Sequence, residues 1–175
     1  MPRLDFLRKY VTRAEVTELP FLNCVMLEAL RFETPVPFAS HTVLSKTCKV
    51  GKLTIKPGTM MLMNIRGLHH NSNEWQRPKE FLPDRFDASN ELWLTPAGTK
   101  RSAFSFFPFN GGKRICFGKT FAEASLKIVA TYLTQNFDMA FEETDKYPDT
   151  NHLPLSQLNQ SETPPIPVVL TKRRD

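Results

Sequence analysis

Phe109-Asn110-Gly111-Gly112-Lys113-Arg114-Ile115-Cys116-Phe117-Gly118 sets one cysteine in a glycine-rich, basic loop, and an apolar-periodic run from Thr120 to Leu133 follows directly. The glycines let backbone approach a bulky ligand closely. Lys113 or Arg114 beside the thiol, and a helix N-terminus just downstream, favour the thiolate over the thiol. Phe104, Phe106, Phe107, Phe109 and Phe117 are near in sequence, so the expectation is a buried thiolate in an apolar shell. The bland use of such a residue is a structural cysteine packed in a turn. The sharper use is as a metal ligand, and a thiolate in apolar surroundings suits the axial position of haem iron.

Two motifs upstream bear on that choice. Thr17 to Glu33 reads as a helix: Thr17 is placed to cap it, Pro20 is tolerated in its first turn, and Phe21, Leu22, Val25, Met26, Ala29 and Leu30 recur at helical spacing. Thr34-Pro35-Val36-Pro37 stops it. Glu28 and Arg31, three apart, share one of its faces. A solvated surface pair would contribute little. Leu27, Ala29, Leu30 and Phe32 flank the pair and suggest burial, which requires further partners. Pro83-Asp84-Arg85-Phe86 offers one in Arg85.

The pattern Phe109-x-x-Gly112-x-Arg114-x-Cys116-x-Gly118 resembles the cysteine-ligand loop of the cytochrome P450 family. Glu28-x-x-Arg31 with Pro83-Asp84-Arg85-Phe86 is similar to the family's paired motifs, whose Glu-Arg-Arg triad locks the core behind the haem. Asp84 stands where the family usually has Glu, outside the triad. The resemblance runs from about Leu19 to Leu170 and covers only the C-terminal portion of the family fold. It implies a mixed α and β, mainly helical fold with a small antiparallel sheet, an irregular meander and a cysteine-ligand loop.

The resulting segments are a helix over 17–34 carrying Glu28-x-x-Arg31, a small sheet over 47–65, a meander over 73–108, the cysteine loop at 109–118, a helix over 119–136, and C-terminal strands with a substrate-side turn over 137–175. Met1 to Glu15 reads as a short helix or a frayed end. Within the sheet, Thr47 to Val50, Leu53 to Ile55 and Met60 to Ile65 read as strands. Gly51-Lys52 makes the first turn, and Lys56-Pro57-Gly58-Thr59 is placed for a type II second turn. Gly67 to Ser72 reads as a short helix or turn. His69 and His70 are adjacent and so do not face each other, which favours structural use over metal binding. The run Phe121, Ala124, Ile128, Leu133 marks a buried helix to about Asn136, and Phe137 to Phe141 and Ile166 to Leu170 read as strands.

Composition narrows the function classes. The chain has 175 residues, is 41% hydrophobic and carries a net charge of +5. No apolar run reaches membrane-span length, and charged residues rather than an apolar stretch follow Met1. The scattered basic residues make nucleic-acid binding a weak reading. Cys24, Cys48 and Cys116 are few, odd in number and widely spaced, against a disulfide framework or a zinc site and in favour of a reducing compartment. Gly118-Lys119-Thr120 mimics the end of a phosphate-binding loop, but Gly112 leaves five residues before it instead of four.

By resemblance the function is that of a haem-thiolate monooxygenase, inserting one oxygen atom from O2 into an apolar small molecule. The cofactor is haem b (iron protoporphyrin IX), with electrons from NADPH through a reductase or ferredoxin. Cys116 would be the iron ligand and so the metal site. Phe109, Gly112, Arg114, Cys116 and Gly118 would be the cofactor-binding residues. Val36 to Thr42 would line the substrate pocket, and His41 stands either as a further propionate partner or as a surface histidine. The turn near Leu158 to Ser161 would touch substrate. No residue here takes the distal acid–base role. Lys100, Arg101, Lys113, Lys119 and Lys127 cluster in sequence around the cysteine and are either a docking patch for an acidic redox partner or ordinary solvated charges. Membrane association would come only through an N-terminal region outside this chain, and the compartment would be the cytoplasmic face of the endoplasmic reticulum for a eukaryotic microsomal parent. The alternative, of another class, is a haem-free, catalytically inactive remnant or truncated gene model with only a structural or binding role.

Overall fold

The computed structural model describes residues 19–39, 42–141 and 168–173. Helix α1, Pro20–Phe32, follows the apolar spacing read from sequence, and Thr17 lies outside the described residues. Its last turn donates Glu33 N–H to the Ala29 carbonyl before Thr34 ends it. Two compact units can be described separately: one runs from Glu28 to Cys116, and the other comprises the described residues on either side of it.

In the Glu28–Cys116 unit, two small antiparallel pairs replace the single sheet expected. Strands β2, Cys48–Val50, and β3, Leu53–Ile55, form a hairpin with Val50 opposite Leu53. Gly51 takes φ +57 at the first loop position, which the tight hairpin turn requires. Strand β1, Thr42–Val43, pairs with β4, Met60–Met61. The type II turn is present: Gly58 has φ +81, and Thr59 N–H donates to the Lys56 carbonyl.

The expected strand over Met60 to Ile65 stops early. Asn64 accepts the Gly67 N–H on its side chain at 2.7 Å and caps a five-residue helix α2, Ile65–His69. An asparagine satisfying an orphan helix donor outweighs the strand propensity of its neighbours. This helix brings His69 inside the unit, where its side chain is fully buried.

The meander has no long regular element. Short 3-10 turns at Pro83–Phe86 and Glu91–Trp93 punctuate it. Its aromatic side chains build the core: Trp75 is 1% exposed and its ring lies 5.8 Å from Phe86 and 6.2 Å from Phe106.

Outside that unit, helix α3 spans Lys119–Asn136, and β5, Phe137–Phe141, pairs antiparallel with β6, Val168–Lys172. Contrary to the expected buried helix, no residue of α3 is buried, and Phe121, Leu126 and Val129 are exposed. Its apolar positions, among them Phe121, Ala122, Leu126 and Val129, are not confined to one narrow stripe. The turn near Leu158 to Ser161 lies outside the described residues. No helix among the described residues is long and apolar enough to cross a membrane.

Candidate functional site

Upstream of the cysteine loop the same unit holds a buried charge cluster. Arg31 grips Glu28 through two parallel bonds, Nε to Oε2 and Nη2 to Oε1, both 2.8 Å. Arg85 reaches the same carboxylate, Nε to Oε1 at 3.1 Å, and Leu82 N–H adds a bond to Oε1 at 2.8 Å. All three charged side chains are completely buried. One carboxylate cannot neutralise two guanidinium groups, so backbone carbonyls complete the cage. Arg31 donates to the carbonyls of His69, Pro78 and Glu80, and Arg85 to those of Gln76, Arg77 and Glu80. This explains why the meander is irregular. A helix or strand spreads its carbonyls along its length, whereas the bent chain of residues 76–80 converges those of Gln76, Arg77, Pro78 and Glu80 on the two arginines. Arg77 adopts φ +43 within that bend. Burial lowers the Arg85 pKa against the opposing pull of Glu28.

Arg101 closes the other side of the cluster. Its guanidinium lies 4.4 Å from the Trp75 ring centroid and 5.2 Å from that of Trp93. It donates to the carbonyls of Leu92 at 2.8 Å and Arg85 at 2.6 Å. Burial, then the charge of Arg85, brings its pKa down to about 10. Arg101 therefore does not belong to a solvated docking patch with Lys100 and Lys113. It braces the aromatic core, a role that a basic residue beside a basic loop does not announce in sequence.

From the cluster the chain passes to the loop through Phe106 and Phe107. Phe106 stacks obliquely on Phe86 at 5.0 Å and on His69 at 5.2 Å. Phe107 N–H donates to Nε2 of His69 at 2.8 Å. The Phe107 ring then fills the place a side chain at Gly111 would need: a Cβ there would stand 2.5 Å from Phe107 Cζ. Asn110 and Gly112 both adopt left-handed φ, +59 each, and Gly112–Arg114 forms a 3-10 turn. Cys116 N–H donates to the Phe109 carbonyl at 2.8 Å and closes the loop. Gly118 follows as the N-cap of α3, with φ −81 and no side chain to cap it.

The sulfur lies differently from the expected buried shell. Cys116 carries a free thiol and is exposed, as are Phe104, Ile115 and Phe117. The phenylalanines divide: Phe106 packs on His69 and Trp75, the Phe107 ring lies against Gly111 and 6.3 Å from Phe104, and Phe104 and Phe117 are exposed. Cys116 and its chain neighbours Ile115 and Phe117 are thus exposed together, as are Lys113 and Arg114 on the same loop. His41 lies outside the described residues.

A family model described as cytochrome P450 matches residues 7–167. The chain belongs to the cytochrome P450 family. It is 29% identical over 145 residues to human steroid 17-alpha-hydroxylase/17,20 lyase, covering 82% of this chain and 27% of that protein. It is 30% identical to taurochenodeoxycholic 6 alpha-hydroxylase of Sus scrofa, over 83% of this chain and 26% of that one. Among solved structures, a retinoic-acid-bound cyanobacterial cytochrome P450 superposes with a TM-score of 0.69 at 27% identity, covering 81% of this chain and 32% of that one. The haem domain of a mutant cytochrome P450 gives 0.65 at 27% identity, over 78% and 29%. The chain carries part of the P450 fold and spans between a quarter and a third of the length of these proteins.

A haem fits the residues present. The donor is a single thiol, left accessible to a planar ligand. The backbone beside it is folded by Gly111, which has no room for a Cβ, and by Gly112, whose φ disfavours one.

Proposed function

We propose that this chain is the cysteine-loop part of a haem-thiolate monooxygenase that inserts one oxygen atom from O2 into an apolar organic molecule. The observation that carries the reading is the accessible Cys116 thiol on a glycine-bearing loop closed by its own N–H bond to the Phe109 carbonyl, in a chain that also buries the Glu28–Arg31–Arg85 cluster. When bound through a thiolate, haem supplies dioxygen activation, because the sulfur pushes electron density toward the iron and favours O–O cleavage. The residues of this chain bind and orient. Cys116 would hold the iron through its sulfur, on a backbone whose N–H donates to the Phe109 carbonyl. Gly112 and Gly118 leave backbone free of side chains on either side of it. Arg114, exposed on the same loop, suits a propionate of haem b. Ile115 and Phe117 present apolar surface beside the sulfur, which would exclude water around a bound macrocycle.

Electrons would come from NADPH through a reductase or ferredoxin, with Lys113 as an exposed cation on the ligand loop. The hydroxylase names of the mammalian relatives, one of them for a steroid, support an apolar substrate. The parent protein would work in a reducing compartment, at the cytoplasmic face of the endoplasmic reticulum for a eukaryotic microsomal enzyme.

The exposed apolar residues of α3, in a chain spanning 27% of its human relative, support a second reading: a haem-free chain with a structural or binding role. Reconstitution of the purified chain with haem separates the two. A thiolate-type spectrum supports the first, and a protein that takes up no haem supports the second.

A further inference from the structure

His69 is not used by the charge cluster as a charge, nor by the loop as a ligand, yet it touches both. Its carbonyl accepts from Arg31 Nη1 at 3.0 Å. Its ring, fully buried, accepts the Phe107 N–H on Nε2 at 2.8 Å. An amide N–H can only donate, so Nε2 is the bare nitrogen and the proton of the neutral ring sits on Nδ1.

The geometry points to His69 as the positioning residue that ties the direction of the cysteine loop to the Glu28–Arg31–Arg85 cluster, through a neutral, Nδ1-protonated imidazole holding the Phe107 amide. The chain of contacts is short. Arg31 holds the His69 backbone and His69 holds the Phe107 backbone. The Phe107 ring packs where Gly111 lacks a side chain, and the turn that follows places the Phe109 carbonyl to accept the Cys116 N–H. Without the acceptor, Phe107 N–H is left unpaired in a part-buried setting, and the packing of Phe107 on Gly111 loses its backbone anchor. Other side chains fill the volume as well, but few put an acceptor at that point. Glutamine does, because its Oε1 reaches about as far as Nε2. Leucine fills the space and accepts nothing.

The test is amide hydrogen exchange on the full chain with and without His69→Leu and His69→Gln. Removing a bond of this kind should speed exchange at Phe107 and Cys116 by about tenfold or more in His69→Leu, against unchanged amides in the β2–β3 hairpin. His69→Gln should restore both to near the original rates. In the unsubstituted chain, the ring nitrogen shifts of His69 should show bare Nε2 and protonated Nδ1, a result that stands even where His69→Leu fails to fold. A protonated Nε2, equal exchange in the leucine and glutamine variants, or a Cys116 amide indifferent to both would overturn the assignment. Its consequence for the cofactor rests on the haem-thiolate reading. In a complete enzyme carrying this segment, His69→Leu should lower the fraction of reduced, carbon-monoxide-bound haem showing the thiolate-type Soret band, and His69→Gln should recover it. If the exchange pattern holds while the unsubstituted enzyme shows no thiolate band, the haem reading fails and the role of His69 stands.

Discussion

Nε of Arg85 lies 3.1 Å from Oε1 of Glu28, across 57 residues of chain, with both side chains closed off from water. Glu28 is the only acid contacting either guanidinium in this cluster among the described residues. Glu28→Ala therefore leaves two buried cations facing one another, and the expected loss is about 3–5 kcal/mol. Urea unfolding of the full chain measures it. The exposed Arg77–Glu80 pair, 3.1 Å apart, is the control: Glu80→Ala removes its carboxylate but keeps the Glu80 carbonyl used by Arg31 and Arg85, and should cost under about 1 kcal/mol. Equal midpoints for the two variants would show that the buried cluster does not stabilise this chain.

His69 makes stability depend on pH. Burial first, then the charges of Arg31 and His70, lower its pKa from 6.5 to about 4. Between those values the unfolded chain binds a proton that the folded chain refuses, so stability falls as pH drops from about 6.5 to about 4, by about 3 kcal/mol in all. His70, also lowered, chiefly by burial, acts in the same direction. Unfolding midpoints measured across that window should slope downward toward acid, and His69→Gln should flatten most of the slope. A slope unchanged in His69→Gln would assign the acid sensitivity elsewhere.

Much of the cluster was legible in the sequence, because Glu28 and Arg31 lie three apart on a strongly periodic helix and Arg85 sits in a distinctive tetrapeptide. Helix α3 and the type II turn at Pro57-Gly58 were legible for similar local reasons. What was missed depends on long-range contacts. Nothing local to Arg101 announces the Trp75 and Trp93 rings, and nothing local to His69 announces the Phe107 amide 38 residues on. The short helix or turn read over Gly67 to Ser72 begins earlier, at Ile65; its start was hidden by the Met60-Met61-Leu62-Met63 run, although Asn64 was a signal for it. Exposure of Cys116 was illegible in the count of nearby phenylalanines, because sequence proximity does not say which rings turn inward.

Gly111 tests how tightly the loop is held. In Gly111→Ala the new methyl meets the Phe107 ring, a side chain pinned at its own backbone by His69. Overpacking of this kind should cost about 1–3 kcal/mol. Gly58→Ala meets no atom within 4 Å and bears only the strain of φ +81, about 1–2 kcal/mol. Thermal unfolding reads both. The discriminating result is in the loop: Gly111→Ala should also speed exchange at the Cys116 amide, whereas Gly58→Ala should leave it untouched.

Electron delivery can be probed at Lys113, which is exposed on the cysteine loop, and not at Arg101, which is engaged by Trp75 and two carbonyls. In a complete enzyme, Lys113→Glu should slow haem reduction by an acidic partner at low ionic strength, and the difference should shrink as salt screens it. Reduction rates equal to the unmodified protein at every salt concentration would place the partner elsewhere.

The role proposed for Cys116 is that of thiolate ligand to haem iron. It is tested by the spectrum of reduced, carbon-monoxide-bound haem in a complete enzyme carrying this segment, with each cysteine replaced in turn by serine. Cys116→Ser is predicted to abolish the red-shifted Soret band of thiolate ligation, while Cys24→Ser and Cys48→Ser retain it. A thiolate band surviving in Cys116→Ser would show that Cys116 is not the iron ligand.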